Sequence, residues 1–264
     1  MNVIPNMTLI DERVCDGCGE LVKVYEMTII GGERKGEKMI ANLGCKCEDM
    51  KLAKEAEEIR AQSENQRVLE YFNYYSLISK RLKNASLENF IPTNKSQEMA
   101  KKAAVKYVEI FDLDKPINLL ITGSFGVGKS HLAKAIADEV MKKINPKTNR
   151  NYTAIFISVP KLLRKIRSTY GQTSEITEDE IFDVLEKVDL LVLDDLGAEK
   201  QSEWSDERLF DVIDSRQGMH TIYTTNYSPA DLLEMLGERN FSRIMNEDTK
   251  TITIEGKNHR LADL

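Results

Sequence analysis

The sequence predicts an α/β protein whose larger domain is built on a parallel sheet, preceded by a small module held together by cysteines. A glycine-rich loop at residues 123–130 directly follows a short apolar run. A second apolar run ends in two adjacent acids, Asp194 and Asp195, and all four cysteines fall within the first 47 residues. Apolar runs that alternate with longer amphipathic segments are typical of parallel strands joined by helices.

Length and composition suggest three parts. The chain has 264 residues, which fits a domain of about 150–200 residues plus a small accessory module. We predict a cysteine module over residues 1–49, a helical linker over 50–84 and the large domain over 85–264. The linker contains neither Pro nor Gly, and an apolar stripe recurs in it at helical spacing: Val68, Phe72, Tyr75, Ile78 and Leu82. Such a stripe reflects packing more often than a partner surface.

The cysteines are spaced as C-x2-C followed by C-x-C, at Cys15, Cys18, Cys45 and Cys47. Two close pairs can supply a tetrahedral set of four thiolates for Zn²⁺, and such a closed site is structural or serves docking. Residues 21–30 and the glycines after them predict a hairpin between the pairs. We expect a reducing compartment, which disfavours disulfides. Four unligated thiols are the alternative interpretation.

Residues 123–130 match the pattern G-x4-G-K-S in full: Gly123, Ser124, Phe125, Gly126, Val127, Gly128, Lys129 and Ser130. Backbone N–H groups of such a loop wrap a phosphate chain, at which the following helix points its positive end. We expect Lys129 at the β- and γ-phosphates and Ser130 on Mg²⁺. An apolar strand before the loop and an amphipathic helix after it, beginning at His131, supply the required context. We count His131 with the nucleotide-binding residues.

The second apolar run, residues 189–195, ends in the acid pair. Carboxylates resist burial unless they are paired or bind a metal, so Asp194 is expected to hold Mg²⁺ through water. Asp195 is expected to polarise the attacking water, and Glu199 is a second candidate for that base. A later predicted strand ends in Asn226, whose amide can orient water beside a γ-phosphate.

The order of these motifs resembles the AAA+ ATPases of the DnaC/DnaI helicase-loader group and their IstB-type relatives, over about two-thirds of the chain. The segments that carry it are SLENFI (86–91), GSFGVGKSHLAKAIA (123–137), LLVLDDLGAE (190–199), DSRQ (214–217), YTTN (223–226), ERNFSRI (238–244) and GKNHR (256–260). The resemblance implies a three-layer domain with a minimal helical lid that binds ATP and Mg²⁺ and associates with copies of itself.

By the same resemblance, Asn226 senses the γ-phosphate, and Arg243 is an arginine finger that reaches the ATP of a neighbouring subunit. Arg260 acts on the nucleotide of its own subunit, and Phe90 and Ile91 line the adenine pocket. Hydrolysis that needs a neighbour depends on assembly, so we expect a slow ATPase stimulated by partners. The second acid of the pair is Asp where many AAA+ proteins carry Glu, which suits a slow switch.

Charge is unevenly distributed along this acidic chain, which has 37 Lys and Arg against 43 Asp and Glu and a net charge of −6. Residues 140–170 contain eight basic residues and no acidic one, whereas residues 171–215 are strongly acidic. The acidic total therefore does not exclude nucleic acid. A predicted helix carries Lys161, Arg164, Lys165 and Arg167 as a ridge suited to single-stranded DNA. An ordinary solvated helix is the alternative.

The leading interpretation is an ATP-dependent helicase loader that holds single-stranded DNA and contacts the replicative helicase through its cysteine module. An IstB-like transposition helper acting on duplex DNA with a transposase is the first alternative. A small-metabolite kinase and a nucleotide-binding scaffold without turnover are the others. No apolar run approaches the ~18 residues needed to span a bilayer, and residues 1–10 lack a secretory pattern, so we expect a cytoplasmic protein without membrane contact.

Overall fold

A computed structural model describes residues 7–47, 49–56, 82–171 and 176–259. The chain divides into two compact units, Met1–Glu64 and Asn65–Leu264. Most of the predicted linker, including its apolar stripe up to Ile78, lies outside the described residues. Within the described part of the chain, no helix is both long enough and apolar enough to cross a membrane.

The first unit contains a three-stranded antiparallel sheet in the order β1-β2-β3. Its strands are β1 (Met7–Val14), β2 (Leu21–Thr28) and β3 (Lys38–Leu43), and residues 49–56 are helical. The predicted hairpin is formed by β2 and β3. Strand β1 was not predicted, because its Asp, Glu and Arg residues interrupt the apolar alternation that indicates a strand.

One face of this sheet is largely apolar and open to solvent, and the Glu12–Lys23 ion pair beside Leu43 interrupts it. Residues directly paired across antiparallel strands share a face, so the rows Met7–Met27–Met39 and Leu9–Tyr25–Ala41 lie side by side, followed by Leu43 and by the Val14–Leu21 pair. Leu9, Met39 and Leu43 are each more than 40% exposed. The other face buries Val22 and Val24.

The second unit is a five-stranded sheet in the order β10-β4-β9-β8-β7, and all its neighbouring strands are parallel. Its strands are β4 (Asn118–Thr122), β7 (Ala154–Ser158), β8 (Leu190–Leu196), β9 (His220–Thr225) and β10 (Thr249–Thr253). A small hairpin is formed by β5 (Ile144–Asn145) and β6 (Arg150–Asn151). The helices are α1 (Lys95–Glu109), α2 (Lys129–Lys142), α3 (Val159–Ser168), α4 (Glu178–Lys187), α5 (Glu203–Ser215) and α6 (Pro229–Ile244).

Two hydrophobic clusters cover the two faces of this sheet and make the unit three-layered. Alternate residues of β8 divide between them: Leu191 and Leu193 join one cluster, and Leu190 and Val192 join the other. The first cluster contains side chains of α3 to α6, and the second contains those of α1 and α2. The predicted α/β fold with a central parallel sheet is confirmed.

Local sequence signals explain where three of the helices begin. Thr177, Ser202 and Ser228 each cap a helix through a reciprocal capping box, and Pro229 occupies the first turn of α6. Helix α6 is interrupted at Gly237, whose backbone is left-handed with φ of 72°. The arginine-bearing half of α6 therefore has its own direction.

Candidate functional site

The glycine-rich loop joins β4 to the start of α2 at the carboxyl edge of the sheet. Gly126 and Gly128 have φ of 74° and 106°, a left-handed backbone that favours glycine. A Cβ atom on Gly128 would lie 2.7 Å from Cε2 of the Phe90 ring, and one on Gly126 would collide with the Asn258 side chain. The loop thus keeps its curvature only with glycine at both positions.

Lys129 and Asn226 meet inside this loop. The Lys129 ammonium donates to the carbonyls of Gly123 and Ser124 at 2.8 Å each and to Oδ1 of Asn226 at 2.7 Å. Lys129 is only 5% exposed. The ammonium and the amide converge because the loop that leads to Lys129 follows β4, Asn226 follows β9, and these two strands are neighbours.

Thr224 links the two acids near the carboxyl end of β8. Its hydroxyl donates to Oδ1 of Asp194 at 2.7 Å and accepts from the backbone N–H of Asp195 at 3.0 Å. Burial, together with the neighbouring Asp195 charge, raises the pKa of Asp194 to about 6, while hydrogen bonds from Thr224 and Ser130 oppose that rise. A buried carboxylate beside the Ser130 hydroxyl is a donor set suited to Mg²⁺.

Of the two candidate bases, Asp195 and Glu199, only Asp195 lines the nucleotide cleft. Asp195 is half-buried, lines the nucleotide cleft and has φ of 56°, an uncommon backbone conformation outside glycine. The Glu199 carboxylate instead accepts from the N–H of Gly197 at 2.9 Å, and burial raises its pKa. Glu199 does not line the cleft.

The cleft encloses about 790 Å³, which is within the range of small-molecule sites. Its wall includes most of the predicted nucleotide-binding residues: Phe90, Ile91, Phe125, Gly126, Val127, Gly128, Lys129, Ser130, His131, Asp195 and Asn226. It also includes residues that were not predicted: Leu82, Asn89, Thr93, Gln97, Ala198 and His259.

Gln97 is the most informative of the residues that sequence reasoning missed. Its amide oxygen accepts from Thr93 at 2.7 Å, and its Nε2 donates to the carbonyl of Val127 at 3.3 Å. Gln97 is 1% exposed. An Asn followed three residues later by Gln is a helix-start signal, so capping alone accounts for the pattern in the sequence. Thr224 had a clearer signal, since it lies two residues before Asn226 on the same strand face.

The two predicted arginines have different outcomes. Arg243 lies outside the cleft of its own chain: its Nε atom is paired with the Asp214 carboxylate, and its guanidinium stands 4.5 Å from the Phe210 ring. Arg260 lies outside the described residues.

The basic tract is narrower than its sequence suggests. In α3, Leu162, Leu163 and Ile166 are buried and Arg164 and Arg167 are exposed, as the pattern predicts, whereas Lys161 and Lys165 are half-buried. Before α3, however, Lys142 pairs with Glu139, Lys147 pairs with Asp114, and Lys143 donates to backbone carbonyls at the end of α1. The exposed positive ridge is therefore mainly α3.

The four cysteines converge as the spacing predicts, with their sulfur atoms within 4.8 Å of one another. Cys15 lies 3.6 Å from Cys45 and 3.5 Å from Cys47, sulfur to sulfur. Zn–S bonds of about 2.3 Å in a tetrahedron give an S···S edge of about 3.8 Å, so the set matches zinc dimensions. A Cβ atom on Gly17 would lie 2.8 Å from the Cys47 sulfur, which explains the glycine.

Backbone N–H groups also favour thiolate at this cluster. Those of Cys18 and Gly17 lower the pKa of Cys15 to about 6, and those of Glu20 and Lys46 lower the pKa of Cys18. Hydrogen bonds to Cys15, Cys18 and Cys45 raise the pKa of Cys47 to about 12, because its S–H group is a donor to the neighbouring sulfurs only while it keeps its proton. The residues present therefore fit a Zn²⁺ ion.

A parallel sheet of this order, with the phosphate loop after β4, the acid pair at the carboxyl end of β8 and a polar amide after β9, defines a P-loop ATPase fold of the AAA+ class. A family model described as IstB-like ATP binding protein matches residues 49–262. The chain belongs to that family.

Within this family, the chain is similar to proteins named replicative helicase loaders. The chain is 27% identical to the replicative helicase loader DnaC of Buchnera aphidicola subsp. Schizaphis graminum, over 67% of this chain and 70% of that protein. It is 29% identical to the Escherichia coli K12 replicative helicase loader DnaC, over 61% and 63% respectively. A crystal structure of the DnaC helicase loader superposes with a TM-score of 0.57 at 32% identity, over 67% of this chain and 99% of that one. The resemblance to the DnaC/DnaI group is confirmed.

Proposed function

We propose that this protein is an ATP-dependent helicase loader of DNA replication. The observation that carries the proposal is the convergence of Lys129, Ser130, Asp194, Asp195 and Asn226 at one edge of the sheet. The family and its relatives named replicative helicase loaders support the biological role.

Each residue of this edge has a proposed task. Lys129 leaves the loop carbonyls to bind the β- and γ-phosphates, and Ser130 and Asp194 hold Mg²⁺. Asp195 accepts a hydrogen bond from the attacking water and polarises it, while Asn226 orients that water. Bound Mg²⁺ supplies neutralisation of phosphate charge.

Hydrolysis is completed by a neighbouring subunit. Arg243 lies away from its own cleft, which supports a role in trans, and Arg260 acts on the nucleotide of its own chain. An arginine finger is worth about 10³–10⁵ in rate in well-studied nucleotide hydrolases. The isolated chain should therefore turn over ATP slowly, and turnover per chain should rise with protein concentration.

The replicative helicase binds the first unit. The four cysteines of the first unit, holding Zn²⁺, stabilise its small sheet. The open, largely apolar face of that sheet offers the helicase a surface of Met and Leu side chains. Methionine-rich faces adapt to partner helices because the thioether is flexible and polarisable.

Single-stranded DNA binds the ridge of α3, through Lys161, Arg164, Lys165 and Arg167. A variant with the first three charges reversed should lose affinity and show a shallower salt dependence, by about 0.7 in slope for each lost phosphate contact. Lys147→Glu, which removes a lysine paired with Asp114 outside α3, is the matched control. Unchanged affinity and slope in the α3 variant would remove this part of the proposal.

The central experiment is capture of replicative helicase on immobilised protein, with ATP or a non-hydrolysable analogue. Helicase should be retained with the analogue and released with ATP. Asp195→Asn should capture helicase and fail to release it under ATP, since it binds nucleotide without hydrolysing it. Release from Asp195→Asn at the wild-type rate would contradict the proposal.

An IstB-like transposition helper is the second candidate, because the matching family is named for that group. It predicts capture of a transposase and preference for duplex over single-stranded DNA. Capture of the replicative helicase without the transposase would exclude it.

A further inference from the structure

The segment DSRQ, residues 214–217, ends α5 and contacts α6, yet the proposed mechanism gives it no task. The Asp214 carboxylate pairs with Nε of Arg243. The Gln217 amide donates to the backbone carbonyl of Arg243 at 3.1 Å. One end of α5 therefore holds both the side chain and the backbone of the arginine proposed to act in trans.

The ring of Phe210, one turn earlier on α5, stacks against the same guanidinium. The Cζ atom of Arg239 stands 3.4 Å from the centre of the Phe210 ring, and that of Arg243 stands 4.5 Å from it. Both distances fall within the ~6 Å range of cation–π attraction. The ring is a flat support that limits where the two arginines can point.

These contacts are needed because α6 is not continuous. Gly237, with φ of 72° and ψ of 162°, separates the first half of α6 from the short half that carries Arg239 and Arg243. A kinked helix does not transmit the direction of its first half to its second. The orientation of the arginine-bearing half thus depends on its contacts with α5.

Arg216 anchors the DSRQ segment itself in the body of the unit. It is 1% exposed and donates to the carbonyls of Leu185, Val188 and His220 at 3.1, 2.7 and 2.6 Å. These carbonyls belong to the end of α4 and the start of β9. Asp214 and Gln217 are therefore held on a rigid base.

The way Arg243 is held leaves its outer edge available. Nε donates to Asp214 and Nη1 to the carbonyl of Arg239 at 3.2 Å, whereas Nη2 has no hydrogen bond to any residue in the described ranges. A guanidinium offers five N–H donors, so most remain for a ligand. The Asp214 pair is partly exposed, with 47% of that side chain accessible, and such pairs leave the cation available to a stronger anion.

We infer that Asp214, Phe210 and Gln217 are positioning residues for Arg243, which they aim at the nucleotide bound by a second copy of this chain. The inference rests on the proposed role of Arg243 in trans. We call these three residues the clamp. A displacement of about 1 Å at a catalytic group can cost on the order of a hundredfold in rate, so loss of a clamp residue should lower ATP turnover measurably.

The test mixes two variants of the full chain, at a concentration where wild-type turnover has reached its plateau. Asp214→Asn has an intact cleft but a loosened arginine, and Asp195→Asn has an intact arginine but an inactive cleft. Alone, Asp214→Asn should lose roughly tenfold or more in kcat while its KM for ATP stays within about twofold. Addition of Asp195→Asn should restore a large part of the lost rate, because its arginine serves the intact cleft of the neighbour.

A damaged fold in Asp214→Asn would not be rescued by a neighbour, which separates positioning from structure. Phe210→Leu, measured in parallel, should behave in the same way and keeps the test decisive should Asp214→Asn not fold. Asp183→Asn is the control, because Asp183 pairs only with Lys187 on α4 among the described residues, and it should keep the wild-type rate alone and in the mixture.

Two outcomes overturn the inference: a wild-type kcat in both clamp variants, or a loss that mixing does not restore. Arg243→Ala distinguishes this failure from failure of the proposed function. A wild-type rate in Arg243→Ala refutes the arginine finger itself. A slow Arg243→Ala beside a fast Asp214→Asn refutes only the positioning.

Discussion

The two units of this protein are held together in different ways. In the described part of the first unit, the buried hydrophobic residues are Val22 and Val24, while seven apolar residues of its sheet are more than 40% exposed: Leu9, Ile10, Val14, Leu21, Met39, Ile40 and Leu43. The second unit buries two large clusters, one on each face of its sheet. The apolar burial in the first unit is too small to offset the conformational entropy lost when its chain becomes ordered. We therefore expect the first unit to depend on a metal bound by its four cysteine sulfurs.

The largest predicted effect is loss of that metal. Structural Zn²⁺ contributes about 10–16 kcal/mol to folding in small zinc peptides, so Cys45→Ser should unfold the first unit. The measurement is the amide spectrum of the full chain by NMR, in which signals of residues 7–47 should collapse while those of the second unit persist. Thr28→Ser, at the exposed end of β2 in the same sheet, should leave the spectrum intact. A Cys45→Ser spectrum that retains the first-unit signals would contradict the difference between the units.

The next effect concerns catalysis in the second unit. Asp195→Asn should lower ATP turnover by about 10²-fold or more while MgATP still binds, because a general base contributes ~10²–10⁴. Glu199→Gln is the matched control, since its carboxylate is bound to the Gly197 N–H and faces away from the cleft. If Glu199→Gln loses ATP turnover and Asp195→Asn keeps it, then Glu199 and not Asp195 is the general base.

Sequence reasoning predicted the elements whose signals are local. The phosphate loop, the acid pair and each of the two close cysteine pairs specify a geometry within a few residues, and the structure brings the residues of each group together. The inward and outward faces of α3 followed from helical periodicity alone.

Contacts between distant segments were beyond the same reasoning. The link from Gln97 to Val127, and that from Asp214 to Arg243, depends on how α1 meets the loop and how α5 meets α6. Charge counting also overestimated the basic tract, because Asp114 and Glu139, which pair with its lysines, lie outside it in sequence. Which lysines form ion pairs depends on the tertiary structure and cannot be predicted from composition.

The smallest effect tests how the core of the second unit responds to pH. His220 is 2% exposed, its Nδ1 lies 3.0 Å from the Tyr107 hydroxyl, and burial lowers its pKa below the ordinary value of 6.5. Below pH 6.5 the imidazole of His220 binds a proton in the unfolded chain that it rejects in the folded chain, so the contribution of His220 to stability should fall by up to about 1.4 kcal/mol per pH unit and stay level above pH 6.5. Urea unfolding of the second unit at pH 5, 6 and 7 measures this.

His220→Gln should flatten that pH dependence, whereas His131→Gln, away from this buried site, should keep it. A slope that is the same in all three proteins would show that other groups control the acid sensitivity of the second unit.

The division of labour between the units is tested most directly by measuring nucleotide binding and helicase capture on the same Cys45→Ser protein, in the presence of Mg²⁺. We predict that the variant binds ATP with wild-type affinity and no longer captures replicative helicase. Capture at the wild-type level would contradict the account, and so would loss of ATP binding together with capture.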